Sequence, residues 1–253
     1  MSTPSISCVI PAFETEALVA RCLSSVAAQR DVDAEIILSD DSRSDRIAAL
    51  IAARFADTPG LRRIEGPRSG NPVDNWNAGL AAARAPLAVV IHQDERLIDP
   101  VYLSRAVAAL ARTRAVACVA GVRVLGGARG SRFGLIAPIA GRTPGARALL
   151  PMINWIGPTA AFAFRTGPRF DPALVQLADV EFYGRVLADG GFVRLAGTSV
   201  ESLGRHPDQI SARIDGHALA LAEIDLLAAR RPPPFSPLAH AVYRAALTLR
   251  AAL

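Results

Sequence analysis

Short, uniformly apolar runs alternate with stretches whose apolar residues recur every three or four positions, and this rhythm fills the first half of the chain. Ser5–Pro11 (SISCVIP) reads as a strand ended by Pro11, and Thr15–Gln29 carries its apolar residues at helical spacing. Glu35–Ser39 is a second apolar run, followed by helix-like Ser44–Phe55; Leu61–Glu65 is a third, followed by Val73–Ala83. Leu87–His92 (LAVVIH) is the most apolar of the set, bounded by Pro86 and by the polar His92–Arg96. Runs that are apolar throughout, rather than alternating, suit parallel strands buried on both faces. The βαβα order therefore predicts an α/β fold with a doubly wound, mostly parallel sheet flanked by helices. Ligands in such sheets bind beyond the carboxyl ends of the strands. The polar loops Ala12–Glu16, Asp40–Asp45 and His92–Arg96 should accordingly line one cleft.

The second half is less regular. Ala115–Leu125 reads as a strand, Gly126–Gly145 is rich in Gly and Arg, Thr159–Phe164 is a strand, Asp179–Leu187 a helix and Phe192–Leu195 a strand. Helices are expected at Gln209–Ala229 and Leu238–Ala252, separated by the stiff, proline-rich Arg230–Pro237. The expected organisation is one α/β domain over residues 1–229, then a spacer and an amphipathic helical tail over 230–253.

Composition narrows the chemistry. The 253 residues are 51% hydrophobic and 20% charged, enough apolar material for a large core and too much for disorder. The formal net charge of +5 favours anionic partners without choosing among them. All 28 basic residues are Arg, so lysine chemistry, from a Schiff base to a phosphate-loop lysine, is excluded. Cys8, Cys22 and Cys118 have neither paired nor metal-ligand spacing, which points to a reduced, cytoplasmic setting. The start of the chain lacks the basic flank of a secretory signal. The longest uncharged stretch, Ala148–Phe164, is shorter than the roughly 20 residues of a bilayer span and is broken by Pro151, Gly157 and Pro158. No GxGxxG follows the first strand, and GxxxxGK[ST], GxSxG and HExxH are all absent, which removes support for dinucleotide oxidoreductases, P-loop NTPases, α/β-hydrolases and zincins. Scattered Arg and only 6% aromatic residues argue against a nucleic-acid partner.

Several acidic positions admit two readings. Asp40-Asp41-Ser42 places carboxylates where a base N–H or a ribose hydroxyl could be bound, or simply caps the following helix. His92-Gln93-Asp94-Glu95 closes the most buried strand; its carboxylates could hold Mg²⁺ or Mn²⁺, with His92 as an added ligand, or form a solvated acidic loop. Asp179 and Glu181 head a helix, where they serve chemistry or merely complement the helix dipole. Arg205-His206 offers nitrogen donors near phosphate or metal, or plays a structural role.

Together these pieces resemble the family 2 glycosyltransferases of GT-A fold. Ser7–Phe13 (SCVIPAF) is similar to that family's opening VSVIIPAYN, and Glu35–Asp45 (EIILSDDSRSD) to its EIIVVDDGSTD. Asn75–Leu80 with Val90–Glu95 resembles NWNxGL…FLHQDD, Phe170–Leu174 with Asp179–Arg185 resembles FDPxL…EDxxLWLR, and Arg205–Ser211 resembles RxHxxQxS. The match runs in order from about Ser5 to Ser211. It implies an inverting transferase that moves a sugar from a nucleotide-sugar donor to a glycan or lipid-linked acceptor.

The roles implied by the resemblance follow position by position. Pro11, Ala12, Phe13 and Glu14 would border the nucleotide, with Asn75 and Gln93 in the same donor site. Asp41 would contact the base, Asp94 would bind the divalent ion, Mg²⁺ or Mn²⁺, on the diphosphate, and His206 would lie near that metal. Asp179 would be the catalytic base, with Trp155 and Glu181 on the acceptor side. Four departures stand out. His92 and Glu95 replace Asp residues of the metal segment, Ser42-Arg43 replaces Gly-Ser, and Ala178 replaces the Glu that commonly precedes the base. They keep a second reading open, that of a catalytically silent, nucleotide-sugar-binding or scaffolding relative in polysaccharide assembly.

Trp155 could stack on a sugar ring or fill the core. Arg129, Arg132, Arg142 and Arg147 make the irregular middle basic, which suits a phosphate-bearing acceptor or a solvated loop. Leu238, Val242, Ala245 and Leu249 form an apolar stripe that could lie peripherally on the inner membrane face. Packing on the domain, or on a second copy in a homodimer, explains the same stripe.

Overall fold

A computed structural model describes residues 3–126, 147, 150, 154–204, 216–230 and 237–251. In chain order the elements are β1 (Ile6–Ala12), α1 (Glu16–Ala27), β2 (Ala34–Asp40), α2 (Arg46–Arg54), β3 (Leu61–Glu65), α3 (Pro72–Ala81), β4 (Leu87–Val90) and β5 (Glu95–Leu97). They continue with α4 (Tyr102–Ala111), β6 (Ala117–Leu125), β7 (Phe162–Arg165), α5 (Ala178–Val186), β8 (Phe192–Leu203), α6 (Gly216–Ala229) and α7 (Pro237–Ala251). The strands form one sheet in the order β3-β2-β1-β4-β7-β6-β8-β5. Four pairings are parallel (β1 with β2, β1 with β4, β2 with β3, β6 with β8) and three are antiparallel.

The uniform apolarity of the first strands has a direct cause. In β1, Ile6, Cys8 and Ile10 enter one core layer while Val9 enters the other; Ile36 and Leu38 oppose Ile37 in β2, and Leu87 and Val89 oppose Val90 in β4. Successive side chains of a strand point to opposite faces, and both faces here are covered. Helices α1, α2 and α4 supply Leu23, Ile47 and Leu103 to the first layer. Helices α3, α5, α6 and α7 supply Trp76, Phe182, Ile224 and Tyr243 to the second. Asn71 caps α3 by accepting from the Val73 N–H at 3.0 Å, with Pro72 at the first helical position.

The structure revises the expected elements in three places. The strand expected at Leu87–His92 ends at Val90, and Glu95–Leu97, read as loop, is an edge strand antiparallel to β8. Its partner β8 runs to Leu203 rather than stopping at Leu195, because Thr198–Leu203 pairs with both β6 and β5. The strand expected from Thr159 begins at Phe162, after a single 3₁₀ turn over Thr159–Ala161. The spacer at 231–236, the Arg205–Ser211 motif with His206, and Arg129, Arg132 and Arg142 lie outside the described residues.

Helix α7 lies against α6: His240 Nε2 sits 2.8 Å and Arg244 Nε 3.0 Å from the Asp225 carboxylate, and Tyr243 is buried. Its inward face is Ala239, Tyr243 and Leu247. Of the apolar stripe picked out in the sequence, Leu238, Val242 and Ala245 therefore face away from the domain; Leu238 is 74% and Val242 45% exposed. Among the described residues no helix is long and apolar enough to cross a membrane. Cys8, Cys22 and Cys118 are buried free thiols, and burial pushes Cys8 and Cys118 up to about 12.

Strands β6 and β8 approach closely at a register irregularity around Gly121, where a β-carbon would stand 2.2 Å from the Gly197 carbonyl oxygen. Because that neighbour is backbone, it cannot rotate away. Gly121→Ala should destabilise the protein by about 1–3 kcal/mol, read as a lower urea midpoint with unchanged slope.

Candidate active site

The three polar loops that follow β1, β2 and β4 are stapled to one another. The Asp41 N–H donates to the Ala12 carbonyl at 3.0 Å, closing the first loop on the second. Phe13 and Gln93 bond reciprocally, Phe13 N–H to Gln93 Oε1 at 2.9 Å and Gln93 Nε2 to Phe13 O at 3.2 Å, closing the first loop on the third. Glu14 stands in the left-handed region (φ 54°), which costs a non-glycine residue on the order of 1–2 kcal/mol. Its bonds offset that strain. Its N–H donates to Ser42 Oγ at 2.8 Å, and its carboxylate accepts from Arg43 N–H at 2.7 Å and Ser44 Oγ at 2.6 Å. The Ser44 hydroxyl and the Arg43 N–H hold the Glu14 carboxyl below its ordinary value.

Asparagine 75 works from α3. Its side chain accepts from Ser39 Oγ at 2.6 Å and donates to the Ser39 and Ala12 carbonyls, binding the ends of β1 and β2 together. Asp40 turns into the framework, with one oxygen on Arg63 Nε at 2.9 Å and the other accepting from the Ser42 N–H. Asp41 turns the other way and accepts from the Arg68 N–H at 2.5 Å.

His92, Asp94 and Glu95 form one cluster in which a ligand atom of each lies within 4.8 Å of the others. His92 packs on Trp76, ring centroids 4.6 Å apart, and its Nε2 is buried without a hydrogen-bond partner among the described residues. Burial lowers the His92 pKa against the opposing pull of Asp94, so the imidazole offers a lone pair rather than a charge. Glu95 is fully enclosed, and one of its oxygens accepts from the His92 and Ala160 N–H groups at 2.9 and 3.0 Å. Burial, then the neighbouring Asp94, pushes the Glu95 carboxyl well above the usual carboxylate range. The solvated-loop reading of this segment is thereby replaced for Glu95. A neutral imidazole grouped with two carboxylates is a donor set that fits a divalent cation of Mn²⁺ type.

Asp179 arrives from the far end of the chain, in the first turn of α5. One oxygen accepts from the Val180 N–H at 2.7 Å and the other from Asn154 Nδ2 at 3.1 Å. Asn154 is itself locked by a reciprocal pair with Gly157, at 2.8 and 3.1 Å. Burial raises the Asp179 carboxyl to about 6. The loop before α5 is held from behind by Glu223 of α6, whose carboxylate accepts the N–H groups of Val175, Gln176 and Leu177 at 2.8, 3.1 and 2.7 Å.

These loops enclose a cavity of about 620 Å³. Pro11, Ala12, Phe13, Asp41, Asn75, Gln93, Asp94 and Asp179, all singled out in the sequence, line it. Glu14, Trp155 and Glu181 do not. Glu14 serves the loops as described, Trp155 is buried against Phe192, and Glu181 is paired with Arg185 at 2.9 Å. The sequence reading missed Arg43 and Arg68, which line the cavity as its cations, and Thr159 and Gln176. It also missed Asn154 and Glu223, whose signal is invisible locally because their partners come from tertiary structure.

A family model described as "Glycosyl transferase family 2" matches residues 7–166. The chain belongs to the family 2 glycosyltransferases. It is 32% identical over 203 residues to the uncharacterised protein MT1568 of Mycobacterium tuberculosis (strain CDC 1551 / Oshkosh), covering 73% of this chain and 62% of that one. It is also 32% identical over 92 residues to the succinoglycan biosynthesis protein ExoO of Rhizobium meliloti (strain 1021), covering 36% of this chain and 26% of ExoO. The chain thus spans less than two thirds of either relative. Its fold is similar to that of S. aureus TarS 1–349 in complex with UDP-GlcNAc, with TM-score 0.65, 16% identity, 87% of this chain and 66% of that one. It is likewise similar to the mannosyltransferase PcManGT from Pyrobaculum calidifontis in complex with GDP-Man and Mn²⁺, with TM-score 0.63, 16% identity, 98% of this chain and 74% of that one. The sheet and its flanking helices are therefore the GT-A fold of glycosyltransferases.

In this family 2 fold the loop that leads into Asp179 depends on a carboxylate two elements away. Glu223→Gln removes a charge from three N–H bonds and turns an amide N–H₂ toward one of the donors. The expected loss is about 1.5–3 kcal/mol, measured by urea unfolding, with the largest gain in amide exchange at 175–177.

Proposed function

We propose that the chain is an inverting, divalent-cation-dependent glycosyltransferase that moves a sugar from a nucleotide-sugar donor to a glycan or lipid-linked acceptor. One observation carries this reading: Asp94 and Asp179, distant in the sequence, line the same cavity, one within a cluster suited to a cation and the other a carboxylate raised to about 6. The donors in the similar TarS and PcManGT complexes, UDP-GlcNAc and GDP-Man, support a nucleotide-sugar ligand. The name of ExoO supports a role in polysaccharide biosynthesis.

The donor's nucleotide would occupy the side formed by Pro11–Phe13, Asp41 and Asn75, where the Asp41 carboxylate, held by the Arg68 N–H, can accept from a base. His92, Asp94 and Glu95 would hold the cation, which as a Lewis acid would stabilise charge on the departing diphosphate. Arg43 and Arg68 would add fixed positive charge to the same wall, the part lysine could not play in this chain. At Asp179, each oxygen already accepts one hydrogen bond and keeps a lone pair for the incoming acceptor hydroxyl. As that hydroxyl attacks the anomeric carbon, Asp179 takes its proton, the glycosyl–phosphate bond breaks, and the diphosphate leaves with the bonding electrons. One base without an enzyme nucleophile makes this a single displacement, with inversion at the anomeric carbon.

Asp179→Asn should lower the transfer rate by about 10²–10⁴-fold while donor affinity, read by calorimetry, stays within threefold. Near-normal turnover would remove Asp179 from the role of base. In the intact protein Asp179 ionises as pH rises through about 6, so kcat/KM should climb tenfold per pH unit below that value and level off above it. Asp94→Ala should weaken Mn²⁺ binding, followed by calorimetry, by at least about tenfold. Donor binding without transfer or donor hydrolysis, over a panel of UDP-, GDP- and dTDP-sugars, would select the silent scaffolding reading instead.

A further inference from the structure

Edge strand β5 has two faces. Glu95 and its cross-strand partner Ser202 line the catalytic cavity, while Arg96 and its partner Glu201 face the other way. On that opposite face Glu201 is fully buried and gathers three guanidinium groups from three elements. Arg96 Nε of β5 lies 2.5 Å and Arg21 Nη2 of α1 3.3 Å from Oε1, and Arg123 of β6 is bidentate on Oε2 at 3.1 and 2.6 Å. A buried carboxylate requires compensation, but one bidentate arginine would supply it. Three leave the cluster with a net charge of +2.

The carboxylate also fixes how the surplus donors point. Arg21 Nε and Nη1, Arg96 Nη1 and Nη2, and Arg123 Nη1 have no partner among the described residues. The three arginines border a groove of about 540 Å³ together with Ser24, Ser25, Leu97 and Ile98, and among the described residues no acidic side chain lines it. Ser25 Oγ is committed, donating to the Cys22 carbonyl and accepting from the Leu97 N–H, whereas Ser24 is exposed on α1. Converging guanidinium forks held from behind by one buried carboxylate are preorganised for an anion with several acceptor oxygens. Their surplus of two charges matches a phosphate dianion.

We propose that the Arg21–Arg96–Arg123 groove is an anion site for a phosphate-bearing group, separate from the catalytic cavity and set behind its edge strand. The phosphate could belong to a soluble ligand or to an anionic lipid headgroup; the chemistry of recognition is the same.

The test uses the full-length protein with inorganic phosphate as probe, read by the arginine Nε–Hε NMR signals of Arg21, Arg96 and Arg123. Because Arg43 and Arg68 line the catalytic cavity, the titration is repeated in an Arg43→Gln/Arg68→Gln variant, where the same signals should shift. Arg123→Gln leaves two arginines on Glu201, and Ser24→Glu places a negative charge at the groove mouth without touching the Glu201 bonds. Each should weaken phosphate binding by about tenfold or more with the unfolding midpoint unchanged for Ser24→Glu. Co-sedimentation with phosphatidylglycerol vesicles, set against phosphatidylcholine vesicles, distinguishes the sources. Vesicle binding lost in both variants assigns a lipid headgroup, and phosphate binding without vesicle binding assigns a soluble ligand. If phosphate leaves the three signals unmoved and neither variant alters vesicle binding, the groove is a structural ion cluster and the proposal fails.

Discussion

Gathering Asp41, Asp94, Glu95 and Asp179 around one hollow costs electrostatic free energy, and much of the surrounding structure is arranged to carry it. At an effective dielectric near 20, two like charges 4 Å apart repel by about 4 kcal/mol. The chain lowers this cost in three ways: Glu95 is buried where its protonated form is favoured, Asp179 is raised to about 6, and position 92 holds a neutral imidazole instead of another carboxylate. What remains is a hollow that brings together fewer like charges than its four carboxylates would carry if all were ionised.

The direction in which burial resolves separates the carboxylates that build the fold from those that line the cavity. Glu35 is enclosed between strands, but Ser7 Oγ at 2.7 Å and Arg84 N–H and Nε at 2.6 and 2.9 Å more than offset its desolvation, and its pKa falls. Glu201 is likewise lowered, since the hydrogen bonds of Arg96 and Arg123 outweigh burial. Asp179 and Glu95 receive hydrogen bonds too, yet among the described residues no arginine reaches them, and burial wins. Saturation with positive charge marks a carboxylate doing structural work, whereas an upward shift marks one left able to accept a proton or a cation. Glu223 belongs with the framework by geometry, all three of its bonds going to backbone N–H groups.

Much of this was legible along the chain, because the first half obeys a strong constraint. A strand covered on both faces has no polar alternation, so β1, β2 and β4 announce themselves as apolar runs, and the loops at their carboxyl ends are fixed in space by the sheet. The three polar loops met at one cavity as that argument required. Strand β5 escaped notice since Glu-Arg-Leu has no strand character of its own; it exists because Thr198–Leu203 offers it a partner. Glu14 read as a residue bordering the nucleotide, yet its carboxylate is consumed by backbone and hydroxyl donors of the next loop. Asn154 and Glu223 were unreadable for the same reason, their partners being brought to them by the fold. In α7 the periodicity was real, and it carries two faces: Ala239, Tyr243 and Leu247 pack inward, while Leu238 and Val242 of the stripe read in the sequence are left outside, so packing of that stripe on the domain does not hold.

The substitution of His92 for the Asp that commonly opens the family's metal segment follows from its surroundings. A third carboxylate at position 92 would lie beside Asp94 and Glu95, with the Trp76 ring against it in place of water. Such a group would either take up a proton or raise the cost of folding. An imidazole keeps a ligand atom at that point, packs its flat face on the indole, and brings no charge. In the proposed reading the exchange would also bear on which cation is held, since a borderline nitrogen in place of a hard oxygen suits Mn²⁺-like ions better than Mg²⁺, which prefers oxygen and keeps its water. Glu95 in place of Asp completes the adjustment, since its longer side chain reaches back to the His92 and Ala160 N–H groups. The departures from the family pattern are thus coupled to one another through Trp76 and the 3₁₀ turn at Thr159–Ala161, and they keep three donor groups together at the position proposed for a cation.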